Sequence, residues 1–327
     1  MPFRGGGAMQ IHPKVFDAHC DTIFRCWDTG EPLFQNQGAW DVVRVRQSFC
    51  GCAQVFALWC ARGHTKGLAL ESVYQQMLCL FQRQMEAYRP YITLCKGGRE
   101  VEQAIAEGRI AALLSVEGAE LLDCDPNRLQ QAAADGVRII TLTWNHANAL
   151  SGSSREQSHR GLSGQGLAFL QRMGELGILA DVSHLSEAGF WDVMAHSRLP
   201  VLATHSNVKS VWNHARNLTD RQITAIIEHQ GIVGLNFYRE FVGLEQNQES
   251  VRRHLDRILA LGGAKHVALG GDWDGCDLIP DTPDITGLTR FYEYLLKSRY
   301  DEQVIRDFFF CNLMRVVSNI ELCEYKR

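Results

Sequence analysis

The sequence of 327 residues contains no stretch of 18 consecutive apolar residues, so no membrane-spanning helix is expected. It also lacks a long run of Lys or Arg, and its formal net charge is −4. This balance disfavours a nucleic-acid partner, because phosphate binding depends on clustered cations. Residues 1–10 are rich in glycine and lack the apolar segment of a secretion signal, and we expect them to form a flexible leader.

No C-x-x-C pair is present, although the chain has 11 cysteines. An odd number of cysteines, scattered through apolar segments without an export signal, is typical of reduced thiols and predicts a cytoplasmic location. Cys50 and Cys52 form the closest pair. Burial as small apolar side chains is favoured over a metal site there.

The chain does contain an alternation of short apolar segments with amphipathic stretches, and no linker or charge block divides it. Continuous apolar segments followed by helices are typical of parallel strands covered on both faces. Eight such units in about 300 residues favour a closed (β/α)8 barrel over an open sheet. We therefore predict an α/β fold, a TIM-like barrel over residues 11–327. The predicted strands are 15–18, 53–58, 110–116, 137–143, 178–182, 201–203, 232–236 and 267–269.

The predicted helices are 68–88, 101–107, 127–134, 166–176, 186–196, 220–229, 250–261, 288–296 and 301–320. Ser186 and Thr219 stand where helix N-caps are expected.

Metal-competent side chains follow five of the predicted strands: the first, third, fifth, sixth and eighth. The active site of such a barrel lies at the C-terminal ends of its strands. One His or Asp there is more often a packed residue or a helix cap, but five strand ends together favour a metal site. The residues are His19, Asp21, Glu117, His184, His205 and Asp272.

Three imidazoles with two or three carboxylates suit divalent ions such as Zn²⁺. His19 and Asp21 are two positions apart, so in extended backbone both point the same way. The whole set is too large for one catalytic zinc ion, which usually takes three protein ligands and a water. It fits two ions about 3.5–4 Å apart that share a carboxylate. We therefore expect two divalent ions, with Glu117 as the shared ligand.

In order and spacing, these segments resemble the membrane (renal) dipeptidase family of zinc peptidases and its bacterial relatives. The resemblance extends from about residue 11 to residue 320. The matching segments are Asp17-Ala18-His19-Cys20-Asp21-Thr22, Val116-Glu117-Gly118, Thr141-Leu142-Thr143-Trp144-Asn145, Asp181-Val182-Ser183-His184-Leu185-Ser186, Thr204-His205-Ser206-Asn207, Ala215-Arg216-Asn217-Leu218, Gly270-Gly271-Asp272-Trp273-Asp274-Gly275 and Asn312-Leu313-Met314-Arg315-Val316.

The resemblance implies a barrel of the metallo-dependent hydrolase type that hydrolyses dipeptides, often with a D-residue at the C-terminal position. It implies that His19 and Asp21 hold one zinc ion, that His184 and His205 hold the other, and that Glu117 bridges them. It also implies that Arg216 binds the C-terminal carboxylate, a task that suits a guanidinium fork. A homodimer is the implied assembly.

One position departs from the family pattern. Many relatives have a substrate-polarising His directly after Leu-Thr, where this chain has Trp144. His146 follows two positions later and faces the same side if the strand stays extended, so it is a candidate replacement. Trp144 itself is a candidate to line the substrate pocket.

Two metal ions would generate a hydroxide between them near neutral pH. Asp272 is then expected to orient this hydroxide, accept its proton and pass it to the leaving amine. Asp274 is the alternative for that role. As an acidic group at the mouth of the site, it is also a candidate to contact the substrate amine.

Two other functions stay open at this point. A barrel hydrolase with the same metals could act on another amide, an N-acyl amino acid or a lactone. The His-x-Asp pair and the absence of a lysine at the third or fourth strand end argue only against amidohydrolases with a carbamylated lysine. A non-catalytic binding protein is the second alternative, which metal analysis and a dipeptide assay would separate from an enzyme.

Overall fold

Nine parallel strands form one sheet in residues 12–324, the part of the chain that the computed structural model describes, with side chains as far as residue 319. The predicted leader, residues 1–10, lies outside this range. The strands are β1 (Lys14–Cys20), β2 (Gly51–Trp59), β3 (Ile92–Leu94), β4 (Ile110–Glu117), β5 (Val137–Thr141), β6 (Leu179–Asp181), β7 (Leu202–Ala203), β8 (Ile232–Leu235) and β9 (Val267–Leu269).

Eight of these strands close into a ring in the order β1, β2, β4, β5, β6, β7, β8, β9. The pairing of β2 with β4 closes the ring and leaves β3 outside it. β3 pairs with the first residues of β4, where Ile92 lies opposite Ile110, and β5 pairs with the later ones, where Ser115 lies opposite Ile139. The predicted TIM-like (β/α)8 barrel is therefore confirmed, and all eight predicted strands are in the ring.

Helices follow most strands, and the nine predicted ones are present. They are α3 (Leu70–Ala87), α4 (Gly98–Ala106), α5 (Leu129–Asp135), α6 (Gly164–Glu175), α7 (Glu187–His196), α8 (Asp220–Glu228), α10 (Gln248–Ala260), α11 (Gly287–Lys297), and a last helix that the structure divides into α12 (Glu302–Arg306), a π-helical turn (Asp307–Cys311) and α13 (Asn312–Glu324). Three short helices were not predicted from the sequence: α1 (Thr22–Thr29), α2 (Val42–Ser48) and α9 (Arg239–Val242). Within residues 12–324, no helix is both long enough and apolar enough to cross a membrane.

Local caps fix where the helices begin after the site residues. The Ser186 hydroxyl accepts a hydrogen bond from the Gly189 N–H at 3.0 Å, so α7 begins three residues after His184. Thr219 and Gln222 form a reciprocal capping box at the start of α8. Both predicted N-caps are confirmed.

Side chains of the strands alternate between two apolar clusters. One set packs against the helices, and the other includes Phe16, Val55 and Leu113 together with Leu313 and Val317 of α13. The strand residues of the second set alternate along each strand with those that face the helices, as expected of side chains inside a barrel. The interior is therefore a packed core, and the open end is left to polar residues.

Three strands approach each other closely beside the site. A Cβ atom at Gly234 or at Gly270 would lie 1.9 Å from the Thr204 carbonyl oxygen. Glycine at these two positions lets β8 and β9 lie against the end of β7, from which His205 emerges.

Candidate metal centre and substrate site

The predicted metal ligands converge at the C-terminal end of the barrel around Glu117, the last residue of β4. Glu117 Oε1 lies 3.0 Å from His184 Nε2 and 3.4 Å from His205 Nε2. Its other oxygen, Oε2, lies 3.5 Å from His19 Nε2, which is 3.6 Å from Asp21 Oδ2. The two oxygens of one buried carboxylate therefore face two different sets of donor atoms.

Asp272, after β9, belongs to the same cluster. Its Oδ1 lies 3.9 Å from His19 Nε2, and ligand atoms of His19, Asp21 and Asp272 lie within 4.8 Å of one another. Its Oδ2 accepts a hydrogen bond from Asn236 Nδ2 at 2.9 Å. Asp272 thus presents one oxygen to the donor cluster and is fixed through the other.

Hydrogen bonds set the tautomers of two histidines. His184 Nδ1 donates to Asn145 Oδ1 at 2.9 Å, and His205 Nδ1 donates to Thr204 Oγ1 at 2.8 Å, because that hydroxyl donates its own hydrogen to Asp181. Both Nε2 atoms are then left as lone-pair donors, 2.9 Å from each other. Two converging lone pairs are suited to a shared cation.

The unsatisfied atoms of the cluster support the same conclusion. His19 Nε2 and Asp21 Oδ1 are buried and, among the described residues, have no hydrogen-bond partner. Buried polar atoms nearly always have partners, so orphaned atoms in a donor cluster indicate a ligand. Gly275 leaves space beside them, because a Cβ there would lie 2.1 Å from Asp21 Oδ2 and 2.6 Å from Asp272 Oδ1. These residues fit divalent metal ions.

Burial and neighbouring charges set the protonation of the imidazoles. Burial, together with the charge of Arg216, lowers the pKa of His184 to about 4. Burial and the charge of His19 hold the pKa of His205 well below its ordinary value. Burial opposes a charge on His19 as well, but the carboxylates of Glu117 and Asp21 outweigh it and raise the pKa of His19. His184 and His205 are therefore neutral imidazoles, the form that binds a metal ion. At His19 the neighbouring carboxylates favour a positive charge, either a proton or a cation.

The carboxylates are affected in opposite ways. Burial raises the pKa of Asp21 to about 7. Burial acts in the same direction on Glu117, but the positive charge of His19 outweighs it and keeps the pKa of Glu117 well below its ordinary value. Glu117 is thus ionised at neutral pH, the form in which a carboxylate can bind a metal ion.

Two of the cluster residues have unusual backbone conformations. His184 has φ of 68° and Asp272 has φ of 58°. Left-handed conformations of this kind cost about 1–3 kcal/mol and persist mainly at functional sites, where the surroundings enforce them. The turns that follow β6 and β9 therefore orient the side chains of His184 and Asp272, and this orientation costs stability.

Two buried aspartates, for which the sequence predicted no role, position the ligands. Asp17 accepts hydrogen bonds from the backbone N–H groups of His19 at 3.1 Å and Gly271 at 2.8 Å. Asp181 accepts from the hydroxyls of Thr141 and Thr204, both at 2.6 Å. In the sequence, each of these residues is an Asp at an apolar strand, two or three residues before a His, and this pattern could have indicated them.

Arg216 lies beside the centre in a buried position. The residue is 4% exposed, and its guanidinium donates from Nη2 to the His205 carbonyl oxygen at 3.3 Å and from Nη1 to the Ser206 hydroxyl at 3.4 Å. It borders a cavity of about 260 Å³ that also contacts His184. Within residues 12–324, Arg216 Nε and Ser154 Oγ at this cavity have no hydrogen-bond partner. A guanidinium held in this way can receive an anionic group next to the metal ligands.

The other predicted substrate contacts have different surroundings. The Trp144 ring lies 6.3 Å from the His184 ring and 5.0 Å from the Trp59 ring, at the edge of the centre. The side chain of His146 is 51% exposed, and its Nδ1 lies 3.2 Å from Glu156 Oε2. β5 ends at Thr141, so the expected alternation does not continue to His146.

Asp274 also lies outside the donor cluster. Its oxygens accept hydrogen bonds from the Thr22 hydroxyl at 2.7 Å and the Ala39 N–H at 2.6 Å. Its geometry therefore supports neither the catalytic role nor the substrate contact expected from its position in the sequence.

Comparison with known proteins connects this geometry to one family. The sequence model of the membrane dipeptidase family, peptidase family M19, matches residues 7–327. An uncharacterized protein in the pqqA 5′ region of Klebsiella pneumoniae is 33% identical over 267 residues, which are 78% of this chain and 98% of that protein. The dipeptidase verJ of Clonostachys rogersoniana is 29% identical over 255 residues, 77% of this chain and 66% of the relative.

A solved structure is similar over nearly the whole fold. It is a metallo peptidase from Rhodobacter sphaeroides liganded with a phosphinate mimic of the dipeptide L-Ala-D-Ala. The TM-score is 0.85 at 27% sequence identity, and the match covers 94% of this chain and 99% of the other. With a family match along almost its full length, this chain belongs to the membrane dipeptidase family.

Proposed function

We propose that this chain is a metal-dependent dipeptidase that hydrolyses the peptide bond of L-L and L-D dipeptides with two divalent metal ions, most suitably Zn²⁺. Membership of a peptidase family with metal-dependent members supports the general activity. The binuclear site rests on one observation above all, that the two oxygens of Glu117 face separate sets of donor atoms.

Each residue of the cluster has a role in this proposal. His19 and Asp21 would hold one ion, His184 and His205 the other, and Glu117 both. Ions bound there would lower the pKa of a water molecule and polarise the scissile carbonyl. Asp272, which accepts a hydrogen bond from Asn236, would accept a proton from the attacking water and deliver it to the leaving amine.

Arg216 supports a substrate that ends in a carboxylate. A buried guanidinium is stabilised by an anion that can accept two parallel hydrogen bonds. Such a group is present in a dipeptide or an N-acyl amino acid and absent from a simple lactone. The phosphinate bound to the Rhodobacter sphaeroides relative mimics L-Ala-D-Ala, which supports testing L-D pairs first.

Three further features belong to this proposal. A cytoplasmic location agrees with the ten free thiols among the described residues. A homodimer is expected from the family, and sedimentation of the purified protein would test it. No nucleic-acid partner is expected either, because the net charge is −4.

A panel of dipeptides tests the function. Each L-L and L-D pair is incubated with metal-depleted protein and with the same protein after zinc is restored, and the released amino acids are measured. We expect release only with metal, and metal analysis of the restored protein is expected to give two ions per chain. No metal-dependent release from any pair would overturn the peptidase assignment.

A further inference from the structure

Glu120 is an acidic residue beside the centre that the roles above leave unused. It lies three residues after Glu117, on a short 3₁₀ turn (Ala119–Leu122) at the open end of the barrel. If residue 118 carried a Cβ atom, that atom would lie 3.0–3.1 Å from the carboxyl carbon and the two carboxylate oxygens of Glu120. The carboxylate of Glu120 is therefore folded back over Gly118, the residue next to the predicted bridging ligand.

One amide holds this carboxylate in place. Asn148 Nδ2 donates to Glu120 Oε2 at 2.9 Å and also to the Leu142 carbonyl oxygen at 2.8 Å, which fixes the amide. Glu120 is half-buried. Besides the backbone N–H of Glu120 itself, Asn148 is the one hydrogen-bond donor to this carboxylate among residues 12–319, and Oε1 accepts from no other side chain.

The charge of Glu120 is poorly compensated. No Lys or Arg in the described part of the chain forms an ion pair with it, and Arg62 acts on it only from a distance. Burial raises the pKa of Glu120, although the hydrogen bond from Asn148 opposes this. A carboxylate in such surroundings gains most from a cation that brings its own hydrogen-bond donors.

The other acids at this end of the barrel are already engaged. Those of the donor cluster face the imidazoles: Asp21, Glu117 and Asp272. Those outside the cluster accept hydrogen bonds from the protein itself: Asp17, Asp181, Asp274 and Glu156. Glu187 borders the cavity of Arg216. Glu120 combines a fixed position beside the centre with an oxygen, Oε1, that accepts from no other side chain in the described residues.

The ring order places Glu120 and Arg216 on different sides of the centre. Glu120 follows β4 and Arg216 follows β7, three strands further around a ring of eight. A dipeptide is a zwitterion with an ammonium group at one end, a carboxylate at the other and the scissile bond between them. Its charges match the order Glu120, metal ligands, Arg216 across the mouth of the barrel.

We propose that Glu120 binds the free α-ammonium group of the substrate, so that the enzyme selects unblocked dipeptides over substrates with an acylated or missing amine. This proposal rests on the proposed dipeptidase function. Contact with the substrate amine was first expected of Asp274, and the proposal assigns it to Glu120 instead. A contact of this kind would let the enzyme distinguish dipeptides from N-acyl amino acids.

The variant Glu120→Gln tests this proposal with paired substrates. The pair is a dipeptide with an N-terminal alanine and its propionyl analogue, which lacks only the amine. The wild type is expected to prefer the dipeptide, and the variant to lose about 10- to 100-fold in kcat/KM for it, chiefly through KM, the size of a lost charge-assisted hydrogen bond. Activity on the propionyl analogue is expected to stay unchanged. Asn148 can still donate to the side-chain oxygen of the introduced glutamine, so the turn is retained.

Asp123→Asn is the matched control. Asp123 directly follows the same turn. Its side chain is half exposed and pairs with Arg128, and asparagine tolerates its left-handed backbone with φ of 53°. This variant removes the same charge three residues away and is expected to keep the preference for the free amine. A loss of preference equal to that of Glu120→Gln would overturn the proposal in favour of a general effect of charge.

Binding measurements keep the test independent of turnover. Calorimetry with a phosphinate dipeptide mimic, with and without its amino group, is expected to show weaker binding to Glu120→Gln only for the amino form. Equal binding of the amino form to wild type and variant would overturn the role of Glu120, even if dipeptides are hydrolysed. Conversely, a wild type that hydrolyses no dipeptide would refute the proposed function, while the phosphinate pair would still decide the role of Glu120.

Discussion

Replacing Thr204 with valine tests whether the protein orients a metal ligand through its neighbours. The Thr204 hydroxyl donates to Asp181 at 2.6 Å and accepts from His205 Nδ1 at 2.8 Å. Valine keeps the shape and removes both hydrogen bonds, so His205 is free to carry its proton on Nε2, the atom that faces Glu117. Loss of such an outer partner typically weakens metal binding about 10- to 100-fold.

The same change has a cost in folding. Asp181 is fully buried, and without the Thr204 hydroxyl it keeps three donors: the Thr141 hydroxyl and the N–H groups of Ser183 and Thr204. A lost hydrogen bond to a charged group costs about 1.5–3 kcal/mol, and we expect the metal-free protein to be destabilised by about that amount.

Zinc titration against a chromophoric chelator measures the binding, and urea unfolding of the metal-free protein measures the stability. Thr204→Ser keeps the hydroxyl and is expected to bind zinc like the wild type. If Thr204→Val binds both ions as tightly as the wild type while its stability falls, the hydroxyl only supports the fold. The proposed orientation of His205 would then be wrong.

Three other changes test single roles. Asp272→Asn is expected to lower kcat by about 10²- to 10⁴-fold, the usual contribution of a general base, with both zinc ions retained; near-normal turnover would exclude the role of Asp272 in proton transfer. Arg216→Lys is expected to lower kcat/KM for dipeptides about 10- to 100-fold through KM, because an ammonium group cannot form the two parallel hydrogen bonds; an unchanged KM would contradict carboxylate binding. Burial lowers the pKa of His254 to about 4, so between pH 6.5 and 4 the unfolded chain takes up a proton that the folded chain does not. The free energy of unfolding should therefore fall as pH falls through this range, by up to about 3 kcal/mol from His254, and urea unfolding of His254→Gln should show a shallower pH dependence.

The fold was predictable because each buried parallel strand appears as a short apolar segment followed by a helix. β3 escaped this pattern because Ile92-Thr93-Leu94 is not a continuous apolar segment. It pairs with the first residues of β4 and lies outside the ring. The cluster of candidate metal ligands was predictable for a related reason. A barrel brings the ends of its strands together, so residues as distant in sequence as His19 and His205 can be assigned to one site.

The surroundings of the candidate substrate residues could not be predicted in the same way, because they depend on backbone beyond the strands. Alternation places residues two apart on one face only while the chain stays extended. β5 ends at Thr141, and His146 then points to Glu156. After β9 the backbone turns through φ of 58° at Asp272 and 66° at Asp274, so these two carboxylates separate. The hydrogen bond of Asn145 to His184 and the position of Glu120 beside Gly118 become apparent only from their neighbours in space.

The glycines at 234 and 270 show how far the demands of the centre extend. Each would need more than an ångström of additional space to accept even a methyl group, because the Thr204 carbonyl oxygen lies 1.9 Å from where that methyl would be. Moving Thr204 aside would also move the hydroxyl that orients His205, and an error of about 1 Å in a reacting group can cost about 10²-fold in rate. Alanine, harmless at most positions, would be among the most damaging replacements here. Two residues without a side chain therefore hold the strand ends that carry the candidate ligands, although neither glycine contacts a ligand atom.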